Sequence, residues 1–127
     1  MEFDYTVKTN KTFDETVIAI KEETLKAGFS VLHIHDIKEK LSTMGFEIEP
    51  LKIIEVCNAK SAYKVLQEDI KISLCLPCKI NVYIKNGQTF ISGMRPIILP
   101  QFFPKANLGK LPQEIDQIIQ DIINNAK

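Results

Sequence analysis

The chain has 127 residues, 45% of them hydrophobic and 25% charged, with sixteen basic and sixteen acidic side chains that cancel to a net charge of zero. One domain spanning 1–127 is expected, since that length buries a core of its own and the composition argues against disordered, fibrous and membrane classes. Balanced charge removes the electrostatic footprint of a nucleic-acid binder, and three cysteines in a chain with a sufficient core fit free thiols in a reducing compartment better than a disulfide scaffold.

The first four residues carry charge and no apolar run reaches signal-peptide or membrane-span length, so the expected location is cytoplasmic, with no membrane partner. Phe3, Tyr5 and Val7 alternate with Glu2, Asp4, Thr6 and Lys8, the period-two pattern of a half-buried strand. Thr12 and Glu15 form a capping box, and Phe13, Val17, Ile20 and Thr24 trace one face of a helix that runs to about Ala27 before Gly28. Phe29 to His35 favours a second strand, with Leu32 and Ile34 on one face and Val31, His33 and His35 on the other. Asp36 and Glu39 cap a short helix carrying Ile37, Leu41 and Met44 and ending at Gly45.

After Pro50 the run LKIIEVC shows little alternation, which predicts a central strand covered on both faces. Asn58 suits the N-cap of the helix implied by Ala59, Ala62, Tyr63 and Leu66. Ile70, Ile72, Leu74 and Leu76 alternate with Lys71, Ser73 and Cys75, predicting a fourth strand up to Pro77 with Cys75 away from its apolar side. Cys78, Ile80, Val82 and Ile84 line a fifth strand, and Asn86-Gly87 signals a hairpin completed by Gln88 to Met94.

The segment from Arg95 to Leu111 holds Pro96, Pro100 and Pro104 among Ile97, Ile98, Leu99, Phe102 and Phe103, too apolar for an exposed loop. With Met94 it is expected to close over an apolar cavity or to form a homodimer contact. Pro112 opens a final helix whose stripe is Ile115, Ile118, Ile119, Ile122 and Ile123. The predicted order is therefore β-α-β-α-β-α-β-β-β-α. The class is α+β, with a largely antiparallel sheet and the two long terminal helices on one face.

The stretch from Ile53 to Lys85 contains all three cysteines and the candidate site. A thiol beside the positive end of a helix tends toward thiolate, which singles out Cys57, with Asn58 and nearby backbone N–H groups to stabilise its charge and Cys78 as second ligand or resolving thiol. A thioredoxin-like reading of Cys75 and Cys78 is disfavoured, because strands are expected on both sides of the pair rather than a strand-to-helix turn. His33 and His35 share a strand face, and with Cys57 and Cys78 they make a candidate set for zinc, copper or iron. No spacing links a nucleophile, base and orienting acid, so no catalytic set or cofactor is assigned.

The segments YTVKTNKTFDETV, GFSVL, IIEVCNAKSAYKVL and LPCKINVY resemble the bacterial and archaeal family called domain of unknown function 302 over nearly the whole chain. The resemblance implies a TATA-binding-protein-like fold, a curved antiparallel sheet against helices. It carries cysteine motifs onto Cys57-Asn58 and Pro77-Cys78 but brings no established activity, and Cys75 and the His33/His35 pair depart from its pattern. The functional expectation is a small cytoplasmic, dimeric binding module in which Cys57, Asn58 and Cys78 hold a soft metal, sulfane sulfur or small electrophile. The alternative is a structural or apolar-ligand-binding dimeric domain with buried, inert cysteines.

Overall fold

A computed structural model describes residues 2–127. Five strands form one antiparallel sheet: β1 (Asp4–Thr9), β2 (Ser30–Asp36), β3 (Leu51–Cys57), β4 (Cys78–Lys85) and β5 (Gln88–Met94), in the spatial order β1-β5-β4-β3-β2. Helices α1 (Phe13–Lys26), α2 (Ile37–Ser42), α3 (Ala59–Glu68), the short α4 (Leu99–Phe102) and α5 (Leu111–Ala126) interrupt or follow them. No helix among the described residues is long and apolar enough to cross a membrane.

Local chemistry sets most boundaries where the sequence places them. Thr12 and Glu15 form the reciprocal capping box of α1, and the bonds from Thr12 hold the Glu15 carboxyl below its ordinary pKa. Asp36 caps α2 through the Glu39 N–H, and Asn58 caps α3 through the Ser61 N–H. Asn86 and Gly87 both adopt positive φ, 53° and 77°, as a tight two-residue hairpin requires.

One face of the sheet is covered by α1 and α5. Val17 and Ile20 from α1 and Ile119, Ile122 and Ile123 from α5 join Ile54, Val56, Ile80, Val82 and Ile91 in a single buried cluster. Full burial of side chains of this size contributes about 1.5–3 kcal/mol each. Polar ties fix the C-terminal end of α5 at the margin: Tyr5 Oη donates to Asn124 at 2.7 Å, and Lys11 Nζ donates to the Ala126 carbonyl at 2.6 Å.

The α+β class, the antiparallel sheet and the helices on one face are as expected, with differences in particular elements. Ile70–Cys75 is a 3-10 helix and not a strand. β3 and β4 pair directly with each other, and the chain between them crosses outside the sheet. Asp69 instead accepts the Lys71 N–H and starts a tight turn in which Ile72 is buried while Ile70 and Leu74 project outward. Cys75, expected to face away from apolar surroundings, packs against a second buried cluster of Val65, Ile72, Leu99 and Leu108. In β2 a register shift between Val31 and His33 leaves Leu32 as an extra residue, so Val31 and Ile34 pack inward and Leu32 is 56% exposed. Strand β3 is interior, as its composition suggests, but only Ile54 and Val56 are fully buried against the helices; Ile53 and Glu55 lie half-buried on the opposite, open face.

The close packing of α5 depends on Gly93. A Cβ built there lies 3.0 Å from both Ile119 Cγ2 and Ile123 Cδ1, closer than a relaxed contact. Gly93→Val is therefore expected to lower the unfolding free energy by about 1–3 kcal/mol through overpacking. A shifted urea midpoint at unchanged slope checks it, and an unchanged midpoint would mean that α5 tolerates a side chain at this position.

Candidate functional site

At one end of the sheet, β3 terminates in Cys57 and β4 begins at Cys78, directly opposite Val56. This end is closed by α3 from one side, by the N-terminal turn of α5 from another, and by the apolar segment following β5. Between them lies an apolar cleft, partly open to solvent, with about 40 Å³ of free space. Its walls include Phe29, Val56, Cys57, Cys78, Ala62, Val65, Leu76, Leu99, Leu111 and Ile115, with Asn58 and Ser61 at the capped end of α3.

The structure thus brings Cys57, Asn58 and Cys78 to one site. Cys57 and Cys75 both act electrostatically on Cys78, so each lies near it. Their protonation is opposite to that expected from the helix end. Burial pushes the Cys57 thiol up, and burial, reinforced by Cys57 and Cys75 against a smaller opposing pull from Lys79, pushes Cys78 up to about 11. A helix terminus is worth about 0.3–1 kcal/mol to a nearby charge. Desolvation by the apolar walls outweighs that here, and the Asn58 side chain already occupies the Ser61 N–H that a thiolate would seek. At neutral pH both thiols are neutral, soft parts of an apolar wall.

The candidate metal set is not assembled. His33 and His35 pair with Glu55 and Ile53 on the open face of the sheet, their rings 4.3 Å apart, and His35 Nε2 lies 3.4 Å from Glu55 Oε2. The alternation of β2 and β3 separates them from the cleft. Among the described residues no group of three or more His, Cys, Asp or Glu side chains is arranged to hold a metal ion. The same open face carries a hydroxyl chain, in which Ser92 lies 2.8 Å from Tyr83 Oη and 2.7 Å from Thr6 Oγ1, and Thr6 donates to Asp4.

Sequence reasoning did not single out Phe29, Ala62, Val65, Leu76, Leu111 and Ile115 as site residues. The available signal was the apolar segment after Met94, whose Pro96 and Leu99 form part of the cleft.

The sequence matches the family described as Domain of unknown function DUF302 over residues 5–126. The chain belongs to this family. It is similar to a solved structure, the crystal structure of uncharacterized conserved protein DUF302 from Bacillus stearothermophilus, with a TM-score of 0.92, 30% identity and 100% of each chain covered. No curated protein matches. Within this DUF302 chain, Cys57 and Asn58 of one motif that carried the resemblance and Cys78 of the other border the cleft.

The elevated thiol pKa has a consequence for stability. Cys78 in the fold holds its proton to about 11 against an ordinary value of 9.0, so its contribution is complete below pH 9 and is lost as pH rises from 9 through 11. Alkaline unfolding of Cys78→Ala should therefore show a shallower loss of stability over that window than wild type, by about 1–3 kcal/mol at its upper end. Parallel curves would mean that the thiol is not held neutral by the fold.

Proposed function

We propose that this protein is a binding module for a small, largely apolar ligand held in the cleft between β3, β4, α3 and α5. The observation that carries the reading is the chemistry of the walls: aliphatic and aromatic groups, with two thiols that favour their neutral state. Such a lining offers dispersion and loss of water contact rather than charge, which suits a hydrocarbon or thioether group. The space of about 40 Å³ is well below the 150 Å³ of an engineered cavity that accommodates benzene, so the closed form takes a group of very few heavy atoms.

A second reading keeps the thiols as the point of attachment, because Cys57 and Cys78 share the same cleft. Here a soft electrophile or sulfane sulfur reaches Cys57 with Cys78 beside it. Soft-metal capture by the two thiols belongs to the same class, without the histidines. Native mass spectrometry of protein purified without reductant or chelator separates the readings. An adduct absent from Cys57→Ser supports attachment, whereas a bare mass favours the noncovalent module.

For the leading reading, xenon is a suitable single-atom probe. Wild-type protein is expected to bind it saturably in 129Xe NMR, and Ala62→Leu, which fills the cleft, is expected to abolish the saturable part while retaining the fold by circular dichroism. Unsaturable exchange in wild type, equal to that of Ala62→Leu, would contradict the reading.

A further inference from the structure

The two outermost strands end the sheet in different ways. At one edge, β2 carries the extra residue Leu32, and a bulge of that kind breaks the row of backbone groups that a further strand would need. At the other edge, β1 pairs with β5 without a shift, from Asp4 with Met94 through to Thr9 with Thr89. Its sequence, DYTVKT, contains neither proline nor glycine, so nothing in it interrupts a ladder on the outer side.

The pairing with β5 also determines which backbone groups turn outward. The Arg95 N–H donates to the Phe3 carbonyl at 2.8 Å, which makes Phe3 and Arg95 a hydrogen-bonded pair of the ladder. Such pairs recur at every second residue. Tyr5, Val7 and Thr9 therefore direct their N–H and C=O groups to β5, while those of Asp4, Thr6 and Lys8 point to the outer edge. The side chains of the same three residues are exposed on the open face, whereas Tyr5 and Val7 pack against the main core.

We propose that β1 is the docking edge for a second copy of this chain, paired antiparallel about a two-fold axis at Thr6. In that register Thr6 faces Thr6, and Asp4 of each copy lies opposite Lys8 of the other. These facing pairs are the ones whose backbone groups point outward, so each exchanges two hydrogen bonds. Charge selects the register. A two-fold centred on Tyr5 sets Asp4 against Thr6, and one centred on Val7 sets Lys8 against Thr6, so in neither does Asp4 meet Lys8. A lysine on an edge strand ordinarily deters strand addition, and here the second copy supplies the carboxylate that offsets it. The Thr6 hydroxyl donates to Asp4 and orients that carboxylate on the same face. On the helix-bearing face Tyr5 lies across from Val7, an aromatic and β-branched pair that continues the core from one copy into the next. Because facing residues share a face, the helices of both copies fall on one side of a continuous sheet. The inference is independent of the ligand reading, since β1 contributes no wall residue to the cleft.

Size exclusion with light scattering at low ionic strength tests the dimer, since exposed ion pairs weaken with salt. Wild type at about 200 µM is expected to show twice the 14.5 kDa chain mass, as a short interface of modest affinity would. Asp4→Lys or Lys8→Asp puts like charges at both crossings, and each is expected to weaken association by about tenfold or more. Mixing the two variants sets opposite charges across both crossings again, and a heterodimer is expected at the wild-type concentration. Hydrogen exchange followed by NMR identifies the edge. Between dilute and concentrated wild type the Asp4, Thr6 and Lys8 amides should gain about fivefold protection, and the Tyr5 and Val7 amides, already bonded to β5, should change little. This readout needs no variant, so it decides the matter even where a substitution disturbs the fold. A monomer at about 500 µM overturns the proposal. So does a dimer that ignores both single variants, that mixing fails to restore, or that leaves the three outward amides unprotected.

Discussion

The approach of α5 to the sheet through Gly93 is the constraint on which the rest of the structure depends. Without a side chain at that position, Ile119 and Ile123 rest against β5 itself, and the helix sits at a fixed height over the core. That height places Asp116 where Arg95 reaches it and sets Pro112 and Ile115 against the end of β4. Core packing and the cleft are therefore one arrangement, continued along one helix. Side chains packed to near-crystalline density hold α5 against the sheet as one wall of the cleft, while the segment after β5 forms another wall through a buried cluster of its own.

The thiols illustrate how environment overrides local placement. Cys57 stands immediately before a capped helix, a position that by itself favours thiolate. The helix end acts over a short range and is partly spent on the Asn58 cap, while the apolar walls act on the whole side chain. The same burial that raises the pKa also makes the thiols compatible with an apolar guest. A neutral thiol behaves as a small, polarisable hydrophobe, so the residues that first suggested reactivity here contribute to shape.

Elements with a chemical marker at each end were legible in the sequence. The capping box at Thr12, the Asn58 cap, the Asn86-Gly87 turn and the isoleucine stripe of α5 each specify structure from within a few residues. The segment from Ile70 to Cys75 was not, because its alternation fits a strand and only the burial of Ile72 in a second cluster, among residues distant in the chain, marks the 3-10 turn. Leu32 was placed on the wrong face for a related reason: a bulge changes the inward face without changing composition. Cys57, Asn58 and Cys78 were candidates whose meeting hung on a strand order the sequence does not give, and the apolar segment fitted a cavity cover or a dimer contact equally. That the two belong to the same cleft depends on contacts between residues far apart in the chain, which periodicity does not encode.

The central claim is that the cleft, and not the open face of the sheet, receives the ligand. Methyl-resolved NMR during titration with a short aliphatic alcohol tests it most directly. Saturable shifts confined to Ala62, Val65, Leu76, Leu99, Leu111 and Ile115 are the predicted result. Shifts centred on Thr6, Ile53 and Met94, on the opposite face, would contradict the account.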